Sequence, residues 1–207
     1  MEEVLEVYSR PYDKDYPVVC YDESPKQLVS EIRESYIDSK GVKHEDCEYK
    51  REGAAEIVMI VEPLGQRREV FVEEDHTGNT WANRIGYIAE QMYKDAKKIT
   101  VVEDNLSSHK KYNLYNVFEA QRARAIIEKI EFIYTPKHGS WLNIAECELS
   151  VLSRQALNDR FGNKEVLEKT VKQWVIDRNS AQKGVDWQFK TADARIKLKK
   201  LYPTVLI

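Results

Sequence analysis

Pairs of acidic residues follow two apolar runs of this chain. The stretch VVCYDES places Asp22 and Glu23 after one run, and ITVVEDN places Glu103 and Asp104 after another. A carboxylate at the end of a buried strand is costly, because it loses hydration unless something compensates the charge. A divalent cation is one such compensation, and ligands tend to bind at strand carboxyl ends in α/β sheets. For either pair alone, a strand end that simply emerges into solvent is the plain alternative.

A third candidate carboxylate lies in YTPKHGSWLNIAECELSVLSRQAL, residues 134–157, which predicts a loop followed by an amphipathic helix. Glu146 and Glu148 flank the apolar stripe of this helix, each about 80° from its centre at about 100° per residue. The run NIAE, starting at Asn143, also has the form of a capping box, in which Glu146 would bond back to the helix N-terminus. The helical period therefore leaves open which glutamate faces a site.

Carboxylates converging from two strands and a helix would suit phosphoryl transfer with two metal ions. Mg²⁺ takes oxygen ligands and is held by few protein carboxylates. Two such ions about 4 Å apart can activate an attacking oxygen and stabilise the leaving one. Side chains alternate along a strand, so only one acid of each pair can enter a given site. Because both faces of each strand are apolar, the alternation does not say which one.

The elements that must position these acids are predicted to be strands first, then strands alternating with helices. This order predicts an α/β protein with a mixed sheet flanked by helices, as in a ribonuclease H-like fold. We expect one domain over residues 1–180, with a basic tail over 181–207 packed on it or extending it. The strands are predicted in PVVCYDESPKQLVSE, AAEIVMIVEPLG, QRREVFVEED, KITVVEDNLSSH and EFIYTP, and the helices in TWANRIGYIAEQMYKDAKK, YNVFEAQRARAIIEKI, the helical part of 134–157, NKEVLEKTVKQWVIDRN and a short basic segment near Thr191.

Bulk properties narrow the class of protein. The net charge of −3 hides an asymmetry: residues 1–60 hold 15 acids and 8 bases, whereas 107–207 hold 11 acids and 18 bases. A basic half is compatible with a polyanion partner, although such surfaces are commonly just solvated. The chain shows no membrane-length apolar run and no signal peptide. Its three cysteines have no metal-type spacing, and Cys20 and Cys147 are predicted to be buried. We therefore expect a cytoplasmic protein.

Four motifs spread over nearly the whole chain resemble one family. They are RPYDKDYPVVCYDESPKQL, VVEDNLSSH, YTPKHGSWLNIAECELSVLSRQAL and VDWQFKTADARIKLKKLYP. The chain resembles the catalytic domain of bacterial insertion-sequence transposases of the mariner superfamily, in the IS-six-thirty branch, which are DDE endonucleases. The resemblance implies that Asp22, Asp104 and Glu146 are the catalytic, metal-holding acids. Glu23, Glu103 and Glu148 then become structural or electrostatic neighbours.

The resemblance also implies an activity and its partners. Two divalent cations, Mg²⁺ with Mn²⁺ as a substitute, would support phosphodiester hydrolysis at the element's ends and attack of the freed 3′-hydroxyl on target DNA. The partners would be double-stranded DNA, a second copy of the chain and a separately encoded helix-turn-helix chain. Such a module precedes the catalytic domain in relatives, and we expect no room for it before Pro17.

Several other residues are candidates for DNA contact. The alternative for each is a plain hydrogen-bonding or solvated side chain. Two further functions stay open: a ribonuclease H-like nuclease without strand transfer, and a decayed or domesticated domain that binds DNA or a partner chain without cutting. The candidates are His109, Lys137, His138, Arg195, Lys197, Lys199 and Lys200.

Overall fold

The computed structural model describes residues 1–33, 35–44 and 47–202. Seven strands and seven α-helices are formed within these ranges, together with a π-helical turn and two 3₁₀ turns. The strands are β1 (Val18–Glu31), β2 (Tyr36–Ile37), β3 (Lys43–His44), β4 (Tyr49–Glu62), β5 (Arg67–Glu73), β6 (Ile99–Glu103) and β7 (Ile130–Tyr134). The helices are α1 (Glu2–Tyr8), α2 (Gly78–Tyr87, continued by the π-helical turn Ile88–Met92), α3 (Asn113–Val117), α4 (Ala120–Lys129), α5 (Ile144–Ala156, preceded by the 3₁₀ turn Ser140–Leu142), α6 (Lys164–Ser180) and α7 (Thr191–Lys197, followed by the 3₁₀ turn Lys199–Leu201).

The main sheet has five strands in the order β5-β4-β1-β6-β7. The β5-β4-β1 half is antiparallel, and the β1-β6-β7 half is parallel. The parallel ladder between β1 and β6 pairs Val18 with Thr100 and ends at Cys20 and Val102. The predicted mixed sheet flanked by helices is therefore formed, and its central strands are β1 and β6.

Two apolar cores, one on each face of the sheet, explain why the central strands are apolar on both sides. Cys20 and Val102 belong to the core that α1, α5 and α6 cover. Val19, Tyr21 and Val101 belong to the opposite core, which α2, α3 and α4 cover. Strands buried on both faces read as continuous apolar runs rather than alternating ones. The sheet is thus the middle layer of three.

Some predicted elements differ in detail from those formed. The helix predicted over YNVFEAQRARAIIEKI is interrupted where Phe118 adopts an extended backbone (φ −118°, ψ 150°), and Ile130 already belongs to β7. The short helix α1 and the β2–β3 hairpin were not predicted. Cys20 is buried as expected, but Cys147 is exposed, so its predicted burial is wrong. The reason is that Cys147 lies on the outer face of α5.

The tail after α6 packs on the rest of the chain where it is described. The backbone N–H of Val185 donates to the carbonyl of Pro63 (3.1 Å), and the rings of Trp187 and Tyr8 lie 5.2 Å apart. In α7, Ala194 is fully buried. Residues 203–207 of the predicted tail lie outside the described residues. No helix in the described ranges is long and apolar enough to cross a bilayer.

Candidate active site

One open cleft of about 480 Å³ contains all three predicted catalytic acids. Asp22 comes from β1, Asp104 directly follows β6, and Glu146 lies in the first turn of α5. Asp22 and Asp104 each stand two residues beyond the last residues paired between β1 and β6. Adjacent strands lie about 4.8 Å apart, so this register brings the two aspartates to the same edge of the parallel half-sheet.

The way the layers cover the sheet decides which acid of each strand pair points toward α5, although Glu23 also borders the cleft. Asp22 shares a strand face with Cys20, and Asp104 shares one with Val102, so both point toward the α5 side. Glu23 and Glu103 share the opposite face with Tyr21 and Val101. Of these, Glu103 is fully buried next to Trp81, whose Nε1–H donates to Glu103 Oε2 (2.8 Å).

Helix α5 aims its two glutamates at different surroundings. Glu146 lines the cleft, and its Oε2 atom is buried without a hydrogen-bond partner in the described part of the chain. Glu148 points away and forms ion pairs with Arg68 Nε (3.1 Å) and Arg178 Nη2 (2.9 Å). Glu148 therefore holds α5 through buried ion pairs, and Glu146 is the glutamate that faces the aspartates.

Asn143 is a functional candidate that the sequence analysis treated only as a helix cap. Its Oδ1 accepts from the backbone N–H of Ala145 (3.1 Å), which confirms the predicted N-cap position. Its Nδ2 donates to the carbonyl of Tyr21 (2.8 Å) and to Asp22 Oδ2 (3.2 Å). The same side chain thus starts α5 and holds the Asp22 carboxylate. The run NIAE signals the cap, but the contact with Asp22 depends on a partner 121 residues away.

The cleft carries negative charge that the protein leaves partly uncompensated. Burial raises the pKa of Asp22 to about 7, and the charges of Asp104, Glu146 and Glu23 act in the same direction. The backbone N–H of Glu23, which donates to Asp22 Oδ1 (2.9 Å), only partly offsets this. Like charges that share a cleft favour binding of a proton or a cation.

His109 lies behind the acids rather than in front of them. Its Nδ1 donates to Asp104 Oδ1 (2.8 Å), and its Nε2 donates to Glu23 Oε2 (3.1 Å). Burial lowers the pKa of His109, but the hydrogen bonds to Asp104 and Glu23 and the charge of Glu103 outweigh it and raise the pKa to about 10. The side chain is fully buried, so it has no surface for the predicted DNA contact. It instead fixes the orientation of Asp104.

The other predicted DNA-contact residues lie on the surface. Lys137 and His138 are exposed in the loop before α5, whose residue Ser140 lines the cleft. Arg195 forms hydrogen bonds with both carboxylate oxygens of Glu2 (2.8 Å each), so α1 already pairs its charge. Lys197 lies over the ring of Phe189 (5.7 Å), and Lys199 and Lys200 are exposed.

The three cleft acids fit hard divalent cations in the kind of donor they offer. Carboxylate oxygens are what Mg²⁺ prefers, and the unpartnered Glu146 Oε2 is an acceptor available for a ligand. Within residues 1–33, 35–44 and 47–202, no three His, Cys, Asp or Glu side chains are already drawn together as a metal site. Carboxylates repel one another, so we expect them to approach only around a bound cation.

The mixed sheet flanked by helices defines the class of fold: α/β, of the ribonuclease H-like type. The fold agrees with that of the catalytic domain of Mos1 mariner transposase (TM-score 0.54, 12% identity, covering 87% of this chain and 81% of that one), which confirms the predicted fold class. A sequence model of the DDE superfamily endonucleases matches residues 17–168. The chain belongs to this family.

Larger Mos1 structures share the same fold. A Mos1 transposase paired-end complex with the left transposon end gives a TM-score of 0.57 at 15% identity, covering 88% of this chain and 56% of that one. A Mos1 mariner paired-end complex with Mn gives a TM-score of 0.52 at 19% identity, and the match covers 87% of this chain and 55% of that one. The chain therefore spans about half the length of these proteins. No curated protein matches the sequence.

Proposed function

We propose that this chain is the catalytic domain of a DNA transposase of the bacterial insertion-sequence branch of the mariner superfamily. It would cleave phosphodiester bonds at the element's ends and join the freed 3′-hydroxyl to target DNA. The observation that carries the proposal is the arrival of Asp22, Asp104 and Glu146 in one cleft, from three different elements, in a chain of the DDE endonuclease family.

The three acids would hold the metal ions, and neighbouring side chains orient two of them. Asp22 and Asp104 would hold two divalent cations between them, and Glu146 would complete the second site. Asn143 orients Asp22 through Oδ2, and His109 orients Asp104 through Oδ1. The backbone N–H of Glu23 also donates to Asp22 Oδ1, so the protein orients both oxygens of this carboxylate. Preorganised outer contacts of this kind commonly change metal affinity or activity about 10- to 100-fold when removed.

The metal ions, when bound, would activate the attacking oxygen and stabilise the leaving one. Mos1 complexes with Mn and with Mg are consistent with that choice of cation. The residues of this chain contribute the carboxylates and their fixed orientation. No Ser or Tyr nucleophile is needed, because water and then the DNA 3′-hydroxyl would be the attacking groups.

The partners proposed are double-stranded DNA, as element ends and target, and a second copy of the chain on that DNA. The similar Mos1 transposase forms a paired-end complex with the left transposon end, which supports the choice of DNA. A separately encoded helix-turn-helix chain would supply recognition of the terminal repeats. For a bacterial element, the reaction would take place in the cytoplasm, where the DNA lies.

The first test is calorimetric titration of Mn²⁺ into the wild-type chain and the Asp104→Asn variant. We expect binding by the wild type and its loss in Asp104→Asn, because one anionic ligand is removed without a change of shape. Asp95→Asn is the matched control, since Asp95 is exposed before β6, at the opposite end of the strand from Asp104. Circular dichroism confirms that each variant is folded.

A second assay separates cutting from joining. Supercoiled plasmid with Mn²⁺ reports nicking, and oligonucleotides with free 3′-hydroxyl ends report joined products. Nicking and joining that both require Asp104 would support the transposase proposal, whereas nicking alone would favour a nuclease. Equal Mn²⁺ binding by wild type and Asp104→Asn, or none by either with DNA ends present, would favour a domain that binds without cutting.

A further inference from the structure

Two lysines of the loop after β6 lie over aromatic side chains of β7, which is the strand at one edge of the main sheet. Lys110 Nζ is 5.8 Å from the centre of the Tyr134 ring, and Lys111 Nζ is 5.2 Å from the centre of the Phe132 ring. The two rings are nearly parallel, with centres 6.5 Å apart. Lys111 is exposed and Lys110 is half-buried. The edge of the sheet therefore carries two ammonium groups side by side.

The two lysines begin at the rim of the acidic cleft and extend away from it along β7. Lys110 Nζ also donates to the side chain of Asn105 (2.5 Å), the residue directly after the second cleft aspartate. Tyr134 directly precedes Thr135, which lines the cleft. Phe132 lies two residues farther back along β7, or about 7 Å at about 3.3 Å per residue. Lys110 is therefore the lysine nearer to the cleft, and its neighbour in the chain lies farther along the edge.

The rings hold these lysines in place without neutralising their charge. A cation within about 6 Å of a ring centre is attracted by the ring, and its charge stays available. In the part of the chain that the structure describes, neither lysine forms an ion pair with a carboxylate. Lys97 shows the opposite case: it lies over the ring of Tyr16 (5.9 Å), but Asp15 pairs its charge (2.9 Å). Because a long side chain loses rotamer freedom when it binds a ligand, a lysine already held by a ring loses less.

A strand of DNA matches the charge and the position of these two groups. A phosphate bound at the cleft acids belongs to a strand that must continue past the rim, and carboxylates alone repel its other phosphates. Lysine ammonium groups commonly bind DNA phosphates and fix the register of the protein on the strand. Tyr112, the next residue of the loop, is 62% exposed and offers an aromatic face of the kind on which bases stack. Cations and an aromatic ring next to each other are typical of surfaces that track a nucleic-acid strand.

We propose that Lys110 and Lys111 bind phosphates of the DNA strand where it leaves the cleft along β7, and that the rings beneath them hold the two ammonium groups ready for this contact. The two lysines with Tyr134 and Phe132 form the edge track. The inference rests on the proposed function, because it takes DNA as the substrate of the cleft. Both lysines are binding residues, and neither contacts the reacting phosphate.

The test measures binding of a fluorescein-labelled DNA duplex by fluorescence anisotropy between about 50 and 200 mM salt, a range in which phosphate contacts change affinity strongly. Ca²⁺ replaces Mg²⁺ as a hard cation with oxygen ligands. For the double variant Lys110→Gln with Lys111→Gln, we expect weaker binding and a slope of log K against log salt that is shallower by about 1.8. Each lost phosphate contact accounts for about 0.9 of this change, so each single variant should show about half of it.

Two matched variants separate the edge track from general effects. Lys97→Gln removes another lysine that lies over a tyrosine ring, but at the opposite end of β6 and paired with Asp15, so affinity and slope should stay unchanged. Lys110→Arg with Lys111→Arg keeps both charges and their contact with the rings, so the slope should stay that of wild type. Circular dichroism confirms that each variant is folded.

Two results would overturn the edge track. A slope and affinity equal to wild type in the folded double glutamine variant would show that the lysines only cover their rings. Mn²⁺ calorimetry should show no loss of metal affinity in this variant, because neither lysine is a metal ligand. A loss of Mn²⁺ affinity parallel to the loss of DNA binding would show instead that the lysines support the loop that carries Asp104.

The outcomes also distinguish this inference from the proposed function. DNA binding that depends on both lysines in a chain that neither cuts nor joins DNA would retain the edge track and overturn the transposase activity. Cutting with an unchanged KM for DNA in the double glutamine variant would overturn the edge track alone. A wild-type chain that does not bind DNA in the presence of a divalent cation would overturn both.

Discussion

At the scale of single residues, Asp22 combines two opposing demands. As a proposed metal ligand it must be ionised, yet burial and then the charges of Asp104, Glu146 and Glu23 raise its pKa to about 7. Without a cation, the folded protein therefore holds a proton on Asp22 that the unfolded chain has already released near its ordinary pKa of 3.8. The metal-free site therefore has a cost in stability, which a bound cation would relieve.

The first prediction concerns the pH dependence of that cost. Between about pH 4 and 7 Asp22 holds a proton in the folded metal-free protein but not in the unfolded chain, so its contribution to the free energy of unfolding falls as pH rises. Asp22→Asn removes this contribution, whereas that of Glu103, whose pKa burial raises to about 8, remains. At pH 8 without metal, we expect the variant to be more stable than wild type by about 4 kcal/mol, at about 1.4 kcal/mol per pKa unit. Urea unfolding with a chelator present measures the difference.

The control for this prediction is the stability of wild type and Asp22→Asn compared at pH 4. There Asp22 is protonated in the folded protein, so Asp22→Asn should change stability little. A stability difference of the same size at both pH values would contradict the prediction, because it would arise from packing rather than from charge.

At the scale of elements, α5 is the helix on which the site depends, and Glu148 fixes its rotation. Glu148 and Arg68 are both almost completely buried as an ion pair, and Arg178 of α6 joins them. The backbone of Arg68 also exchanges hydrogen bonds with Asn179 (3.1 and 2.9 Å). These contacts tie α5, α6 and β5 together. They direct the opposite flank of α5, with Glu146, into the cleft.

The second prediction compares the two glutamates of α5. Glu148→Gln leaves buried guanidinium charge without its partner, which commonly costs about 3–5 kcal/mol. Glu146→Gln removes a charge whose Oε2 has no hydrogen-bond partner in the described part of the chain, so it should cost nothing or stabilise the metal-free protein. Urea unfolding of both variants measures this, and Mn²⁺ titration should show weaker binding in Glu146→Gln. Equal losses of stability would contradict the assignment of the two flanks.

The contrast between predicted and observed elements has a physical reason. Apolar runs and turn residues predicted the main strands and α5, because those signals are local. The choice between Asp22 and Glu23 could not follow from alternation, since both faces of β1 are covered by helices. The choice between Glu146 and Glu148 depends on Arg68, which lies in another element far away along the chain. Family resemblance supplied both choices, and packing explains them.

The short elements were not predicted because they also depend on contacts that are distant along the chain. Helix α1 has seven residues, too few to be stable alone, and Arg195 of α7 pairs with its Glu2. The basic neighbours of Arg195 in the sequence led to the prediction of DNA contact, which stays a prediction. Its partner at the other end of the chain could not be read from that pattern. The pairing instead indicates that the two ends of the chain stabilise each other.

At the scale of the whole molecule, the tail after α6 closes the layer that covers the active-site side of the sheet. Arg68 Nη2 donates to the carbonyl of Lys183, and Trp187 packs on Tyr8 of α1. The hydroxyl of Tyr8 in turn donates to the carbonyl of Leu142 (2.8 Å), immediately before the cap of α5. The tail is therefore connected through α1 to the helix that carries Glu146.

The third prediction follows from this connection. A chain ending at Ser180 loses Trp187 and the buried Ala194, and it uncovers the tail-facing side of α1. Loss of a fully buried aromatic group costs about 3–5 kcal/mol. Because Trp187 is partly buried, we expect a loss of about 2–3 kcal/mol in the free energy of unfolding. The control is Lys199→Ala with Lys200→Ala, which alters the exposed end of the tail and should leave stability unchanged.

Metal titration then shows whether the connection reaches the site. In the truncated chain at low temperature, where it is folded, Mn²⁺ affinity should fall, because α1 no longer supports the start of α5 through Tyr8 and Leu142. An unchanged affinity with lowered stability would limit the tail to a packing role. Unchanged stability would mean that residues 181–207 are an appendage to a domain that is complete at residue 180, and that the contact between Trp187 and Tyr8 contributes little to the folded state.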